Sequence, residues 1–420
     1  MDDLGIGHVI SAFSAVAFDI GVNDDDIVDR LNYWVMYGTL LFFGISAAAK
    51  QHVGEPIFCW LPREYNEKQH RRYVNHYCWV HKMYYVPDDT PIPVLERDRY
   101  FHDIGFYRWS TIFFIYMAFT FRVPKFAWRE LKNFSGINVS SIISMTLETA
   151  NMEQDKRDQQ LGHVAVFLDR WITTYFNSPK RNGRFSNFRR VLESIFVCYG
   201  KRSGRYLVII YLFIKFLYLL NIVVQFFCIS AFLNLNYWTF GYDILRTFTE
   251  TGEWVDEVNF PRMSLCDFKI HHLANVNTFT VQCVLSVNIF LEKMFLVLWF
   301  CLVFMLAANT FSLVKWSFQL LSERRITEFM TKYTGMIFPD TSENNVSEKD
   351  LKHLVRRYLK ADGVFVVKMV ESNTTDMLTL DLIRQIWLYY SKNRTVEPGV
   401  ADRNSLNENG GVGYKFETDI

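Results

Sequence analysis

The 420-residue chain lacks the signatures of the common enzyme classes. It has no Walker loop and no GxSxG, HExxH or GxGxxG motif, and its apolar runs hold no acid, base and nucleophile at recognisable spacing. The chain therefore reads as a non-enzyme with no cofactor. It also lacks an excess of either charge, with 45 Lys and Arg against 44 Asp and Glu for a net +1. No stretch interleaves basic residues to track phosphates, which argues against nucleic acid as the main partner. Cysteine is scarce, and seven are too few for a disulfide-rich scaffold of this size. The opening residues, MDDLG, are acidic where a cleavable signal carries Lys or Arg, so the N-terminus is expected to remain in the mature protein.

Apolar residues are abundant and segregated. Half the chain is hydrophobic and 17% is aromatic, yet the mean hydropathy is only +0.02, because long uncharged blocks alternate with charged ones. LNYWVMYGTLLFFGISAAA fills the 19 residues between Arg30 and Lys50, close to the ~20 that a helix needs to cross the hydrocarbon core. Between Arg205 and Asp243 the only charge is Lys215, and Met294 to Val314 carries none. The fourth block, WSTIFFIYMAFTF, holds 13 residues between Arg108 and Arg122. It serves as a span over 104–126 if Arg108 and Arg122 snorkel to opposite interfaces, with Trp109 and Trp128 as anchors.

Basic-residue bias orients these spans. Arg122 to Arg205 holds 15 Lys or Arg against 7 Asp or Glu, whereas Lys50 to Asp103 holds 8 of each and Phe232 to Leu285 holds 3 against 6. The positive-inside rule places the first of these segments, and with it both termini, in the cytoplasm. The expected fold is an all-α membrane protein with four transmembrane helices, 30–50, 104–126, 205–232 and 286–314. Its outer loops are 51–103 and 233–285; its cytoplasmic parts are 1–29, 127–204 and a helical 315–396, followed by a disordered polar tail, 397–420. EKDLKHLVRRYLK, Glu348 to Lys360, is among the helical runs expected to build a cytoplasmic dome.

On this topology each outer loop holds two cysteines, Cys59 and Cys78 in the first, Cys266 and Cys283 in the second. An even number on the oxidising side reads as two disulfides. Three pairings are possible and the sequence does not choose among them. The arrangement favoured, Cys59 with Cys283 and Cys78 with Cys266, would tie the outer ends of all four helices together. A metal reading of VNHYCWVHKMYY, with His76, Cys78 and His81, is weaker. Structural zinc sites need four ligands, and His52, His70 and His102 form no tight pair with a cysteine.

Several stretches resemble the innexins, the gap-junction proteins of invertebrates, and nematode members above all. They are DDDIVDRLNY (24–33), HVGEPIFCW (52–60), NHYCWVHKMYYVP (75–87), FPRMSLCDF (260–268), VQCVLSVNIFLEKMFLVLWF (281–300) and DGVFVVKM (362–369). One departure stands out: where the family enters its second span with YYQWVPF, this chain has FYRWSTIF, Phe106 to Phe113, and Thr111 replaces the proline. A proline there would bend the helix, so the family's kink is in question at that position.

The resemblance implies a plasma-membrane gap-junction channel with no metal and no cofactor, in which a ring of about eight subunits surrounds one pore and docks with the ring of a neighbouring cell. It also implies that the small-residue segment LGIGHVISAFSAVAF, Leu4 to Phe18, folds into the pore as a funnel with Asp2, Asp3, Leu4, Gly7 and Ser11 lining it. The plainer alternative is a short helix resting on the membrane. Lys215 is costly in lipid and is expected to face protein, water or the cytoplasmic interface, and Glu292 and Lys293 are expected to pair structurally. The C-terminal Thr418 and Ile420 fit capture by a PDZ-type scaffold. The rival function is a non-junctional, pannexin-like hemichannel releasing small molecules such as ATP. The sequons, among them Asn138, Asn345, Asn373 and Asn393, all fall outside the two outer loops, which favours docking. A tetraspanin- or claudin-type adhesion protein is disfavoured by the large cytoplasmic loop and the absence of an adjacent Cys-Cys pair. If Asp2 and Asp3 form a carboxylate ring at the constriction, Asp2→Asn with Asp3→Asn lowers cation preference, measured as a shifted reversal potential in a salt gradient.

Overall fold

A computed structural model describes residues 24–52, 55–61, 67–87, 90–95, 99, 104–176, 204–252, 256, 259–337 and 348–396. Asp2, Asp3, Leu4, Gly7 and Ser11, together with Thr418 and Ile420, lie outside the described residues. In chain order the first elements are α1 (Ile27–His52), β1 (Ile57–Trp60), α2 (Lys68–Val80), α3 (Phe106–Asn133), α4 (Val139–Glu148) and α5 (Gln154–Phe176). They are followed by α6 (Tyr206–Leu233), α7 (Phe240–Thr251), β2 (Met263–His272), β3 (Asn275–Leu285), α8 (Ser286–Leu321) and α9 (Glu323–Ile337). The last are α10 (Glu348–His353), α11 (Lys360–Asn373) and α12 (Asp376–Val396). The chain divides into two compact units, one made of 25–134 and 209–319, the other of 1–24, 135–208 and 320–420.

In the first unit α1, α6 and α8 are long and apolar enough to cross a membrane. The helix α3 is as long as α6 but carries Arg108, Arg122, Lys125, Arg129, Glu130 and Lys132. Its buried positions, Tyr107, Ser110, Phe114, Met117, Phe121, Pro124 and Trp128, recur every three or four residues and so form one face. Part of that face meets α1 closely at Gly44, where a Cβ would sit 3.6 Å from Phe114 and 3.2 Å from the adjacent Ile115. The proline missing at Thr111 has a counterpart further along, because Pro124 lies inside α3 and leaves the Thr120 carbonyl without its helical donor. Arg122 lies over the Tyr37 ring at 4.5 Å, and Arg108 donates to the Val80 carbonyl.

The expectation of an all-α chain needs correction. The strands β1, β3 and β2 form an antiparallel sheet in that order, with Ile57 opposite Leu285 and Met263 opposite Val284. The cause is visible in VQCVL, where Val281, Cys283 and Leu285 are buried while Gln282 and Val284 are exposed. This period of two puts one face of β3 on a core, as a half-buried strand requires.

The second unit packs around α11. Residues 362–370, DGVFVVKMV, are all buried, the pattern of a helix surrounded on every side. The helix α5 is stitched to α12 by Arg157 with Asp381 at 3.4 Å and by Gln385 with Asp158 at 3.0 Å. The run Glu348 to Lys360 is not one regular helix: α10 passes into a π turn, Leu354–Leu359, and Lys360 takes φ 54°. Two residues on, the Asp362 carboxylate accepts the backbone N–H groups of Tyr206 at 2.8 Å and Val208 at 3.3 Å. It thereby satisfies donors that the first turn of a helix leaves open.

Burial pushes the Asp362 carboxyl up from 3.8 to about 7, against the pull of those backbone donors and of Lys360. A carboxyl raised in the folded state binds its proton more tightly there than in the unfolded chain. Stability is therefore gained as pH falls through about 7 toward 3.8 and lost as pH rises. For a single such group, going from pH 6 to pH 8 costs about 1.4 kcal/mol. Asp362→Asn is expected to remove that increment from the pH dependence of thermal unfolding of the purified full-length protein.

Candidate functional site

Two constellations in the first unit combine residues distant in sequence. The first is a cap built from β1, α2 and the β2–β3 hairpin. Cys59 of β1 lies opposite Cys283 of β3 in the sheet register, and the two form a disulfide with Cα atoms 3.9 Å apart. Cys78 of α2 is bridged to Cys266 of β2, Cα to Cα 5.8 Å. The Sγ atoms of Cys59, Cys78 and Cys283 lie within 4.8 Å of one another, so the two bridges are neighbours in one core. Sulfurs joined in bridges are not the thiolates that a metal needs.

Packing and hydrogen bonds complete the cap. The Tyr77 ring contacts His81 at 4.1 Å and Phe268 at 6.5 Å, and Trp79 lies 4.7 Å from Tyr107. Tyr84 pairs with Leu265 by two backbone hydrogen bonds, which adds its segment to the edge of β2. The buried Asp267 collects three donors: the Tyr84 hydroxyl at 3.0 Å, the Thr280 hydroxyl at 2.7 Å and the Arg99 guanidinium at 3.0 Å. Burial and the adjoining carboxylate push the Tyr84 phenol up to about 12. Asp267 stands inside FPRMSLCDF, next to Cys266, but a lone Asp in an outer loop gives no sign of burial.

The second constellation is ionic. Lys215 of α6 is only 1% exposed, and its Nζ lies 2.9 Å from Asp29, 3.2 Å from Asp26 and 2.8 Å from the Ser312 hydroxyl of α8. Asp26 also accepts from Ser312 at 2.9 Å and from the Trp316 indole at 3.0 Å, and Asp29 accepts from Tyr211 at 3.2 Å. Both carboxylates stand at the start of α1, where Asp26 and Asp29 form a reciprocal capping box. Their neighbour Asp25 lies 2.5 Å from Lys125 of α3 and accepts the Tyr33 hydroxyl at 3.3 Å. One turn beyond Asp29 and Ser312, buried Asn32 and Asn309 exchange amide hydrogen bonds at 2.9 and 3.3 Å. A π turn, Leu31–Met36, follows in α1.

This ordering of acidic lead, apolar helices and paired cysteines extends over nearly the whole chain, and the innexin family profile matches residues 25–390. The chain belongs to the innexin family. It is 33% identical over 389 residues to innexin unc-9 of Caenorhabditis elegans, covering 92% of this chain and 97% of that one. Innexin-11 of the same nematode is 30% identical over 386 residues, with 89% and 81% covered. Innexin-16 is 29% identical over 379 residues, with 90% and 93% covered. Innexins are membrane proteins that form oligomeric gap-junction channels, a family of channels rather than enzymes.

Within this innexin, Glu292 of α8 accepts the Asp256 N–H at 3.2 Å and faces Arg262 at 3.9 Å, a structural pairing. The ionic knot around Lys215 was only half visible beforehand. The hydropathy pattern exposed a lone lysine, but nothing local announced that its partners stand at the start of α1 and meet it across the bundle. Removing one member of a buried ion pair leaves the other uncompensated. Lys215→Met is accordingly expected to destabilise the detergent-purified protein by about 3–5 kcal/mol. Adding Asp29→Asn to it is expected to recover part of that loss, read from the two thermal unfolding curves.

Proposed function

We propose that this innexin is a plasma-membrane subunit of a ring of about eight copies of itself or of related innexins, docked end to end with the ring of a neighbouring cell. Four helices, α1, α3, α6 and α8, cross the bilayer, with both termini and the second unit in the cytoplasm, as the basic bias of residues 122–205 favours. One chain with four spans has no room for a wide pore, so the conduction path lies on the ring axis. The path passes ions and small molecules between cells. The N-terminal segment with Asp2, Asp3, Leu4, Gly7 and Ser11 lines its cytoplasmic mouth, and Thr418 and Ile420 offer a PDZ scaffold its handle.

The observation that carries docking is the cap. Two adjacent disulfides and the Asp267 cluster stiffen both outer loops before any partner arrives, while Phe58 and Trp60 alternate outward along β1 from buried Ile57 and Cys59. A surface already ordered loses little entropy on contact, so more of its interaction energy appears as affinity. The N-x-[ST] sequences, at Asn133, Asn138, Asn345, Asn373 and Asn393, avoid both loops, which leaves the cap free of the glycans that hold hemichannels apart.

Paired cells that express only this chain should pass a small dye and junctional current to one another. Release of ATP from single cells without transfer between pairs would instead establish the pannexin-like alternative. Cys78→Ser removes a bridge that closes a separation of 188 residues, a loss of about 2–5 kcal/mol in the cap. It is expected to abolish junctional conductance in the paired-cell recording, and normal coupling by this variant would overturn the stapled-cap account.

A further inference from the structure

The segment after α6 does not leave the bundle outward. Asn234 takes φ 53°, the Leu235 N–H donates to the Ser230 carbonyl and the Tyr237 N–H to the Ser230 hydroxyl, so the chain turns back along the helix it has just left. The Tyr237 hydroxyl then donates to the Phe295 carbonyl of α8 at 2.6 Å, and Trp238 stacks on Phe226 of α6 with centroids 4.4 Å apart. The Trp299 indole donates to the Trp238 carbonyl at 3.3 Å. Gly241, in the first turn of α7, sits so tightly on the Trp299 ring that a Cβ would come within 2.1 Å of it. The start of α7 is thus fixed to particular heights on α6 and α8.

Those heights can be measured along α8. Ser312 is level with the Lys215 knot, and Glu292, which holds the loop groups Asp256 and Arg262, lies 20 residues away, about 30 Å. That is the thickness of the hydrocarbon core. Trp299 is seven residues from Glu292, so α7 begins about 10 Å inside the boundary on the cap side. Asp256, five residues beyond the end of α7, is back at the height of Glu292.

The composition of α7 suits that depth. With about 100° between successive residues, Phe240, Gly241 and Ile244 face the protein and are buried. Tyr242, Leu245 and Phe248 fill one flank and are 62%, 46% and 56% exposed. Asp243, Arg246, Thr247 and Glu250 fill the other flank, also exposed, with Arg246 and Glu250 paired at 2.9 Å. A helix standing upright in acyl chains would bring these charges into hydrocarbon at high cost. A helix lying flat, 5–10 Å deep at the headgroup–acyl boundary, places one flank in each medium.

We infer that α7 is an interfacial anchor lying in the leaflet on the cap side, with Tyr242, Leu245 and Phe248 against lipid acyl chains and Asp243, Arg246 and Glu250 among headgroups. Its occupant is membrane lipid, the same solvent that surrounds the exposed Phe227 of α6 and Phe300 and Phe304 of α8. Trp238, at the hinge, takes the place of an interface aromatic. The inference rests on α6 and α8 crossing the bilayer.

The test uses the full-length oligomer in phosphatidylcholine vesicles, in a background of Cys198→Ser, Cys228→Ala and Cys301→Ala. An environment-sensitive fluorophore is attached at Leu245→Cys, Phe248→Cys, Arg246→Cys or Glu250→Cys, with Phe304→Cys as the marker of α8. Probes at 245 and 248 should be quenched severalfold more by nitroxide carried on lipid than by aqueous iodide, and probes at 246 and 250 the reverse. Iodide quenching at 245 and 248, or shielding from both quenchers by a neighbouring subunit, would overturn the inference while lipid quenching at 304 keeps the crossing of α8 intact. Loss of lipid quenching at 304 would overturn the crossing and the inference with it. The unsubstituted protein supplies a second measurement, photocrosslinking to a diazirine phosphatidylcholine. Labelled peptides should include 242–248, and labelling confined to α6 and α8 would overturn the inference.

Discussion

An ammonium group inside an apolar helix decides how this bundle assembles. Lys215, 1% exposed, cannot remain charged in such surroundings without opposite charge and hydrogen-bond acceptors at contact distance. Asp29 and Asp26 supply the charge, and the surplus negative charge of two carboxylates against one ammonium is met by donors from Ser312, Trp316 and Tyr211. The contacts come from α1, α6 and α8 together, so the three helices satisfy the lysine only at one mutual height. Net stabilisation from such a knot is modest because desolvation offsets much of the attraction. Its value lies in register, since among helices packed in lipid no hydrophobic force opposes sliding. The Asn32–Asn309 pair one turn away repeats the same constraint with neutral groups.

The opposite ends of the same helices are fixed covalently. Bridges from Cys59 to Cys283 and from Cys78 to Cys266 close long sequence separations, and the sheet that carries three of these cysteines runs directly into α8 at Ser286. Any movement of β3 is therefore transmitted to that helix. Between the two pinned levels the contacts are largely apolar, with Gln225 of α6 donating to the Thr120 hydroxyl of α3, and permit close approach, as at Gly44 on Ile115. The bundle thus has polar or covalent registration at its two ends and adaptable packing between them. Such a division suits a channel whose ends must meet partners in fixed geometry.

Much of this was legible in the sequence. Uncharged runs marked α1, α6 and α8 because a helix in hydrocarbon must exclude charge over about 20 residues, and that requirement is local. The four cap cysteines were legible as a set, but not as pairs, because pairing depends on which strands align. The sheet itself was missed: a loop of mixed polarity between two dominant helices drew attention away from the alternation Val281, Cys283, Leu285. Asp267 and Asp362 were missed for a related reason. Each is an ordinary surface residue by type, and only the fold surrounds it with donors, Tyr84, Thr280 and Arg99 in one case and backbone N–H groups in the other.

The helix α3 shows why hydropathy alone ranks it last. Its charges cluster at two heights, Arg108 near one end and Arg122 to Lys132 near the other, so any long window includes several of them. Yet the cationic heads have local solutions that the window cannot register. Arg122 spreads its charge over the Tyr37 ring, Lys125 pairs with Asp25, and Arg108 reaches a carbonyl of the cap. Between these levels the chain is uncharged, and its apolar residues face both the bundle and the outside, with Phe114, Met117 and Phe121 buried and Ile112, Tyr116 and Phe119 exposed. Apolar residues turned outward along this stretch fit the proposal that α3 faces lipid. On the proposal that α3 is a fourth span, the length that matters is the distance between its two charged levels with side-chain reach added at each end, which is how a 13-residue uncharged core would match the bilayer.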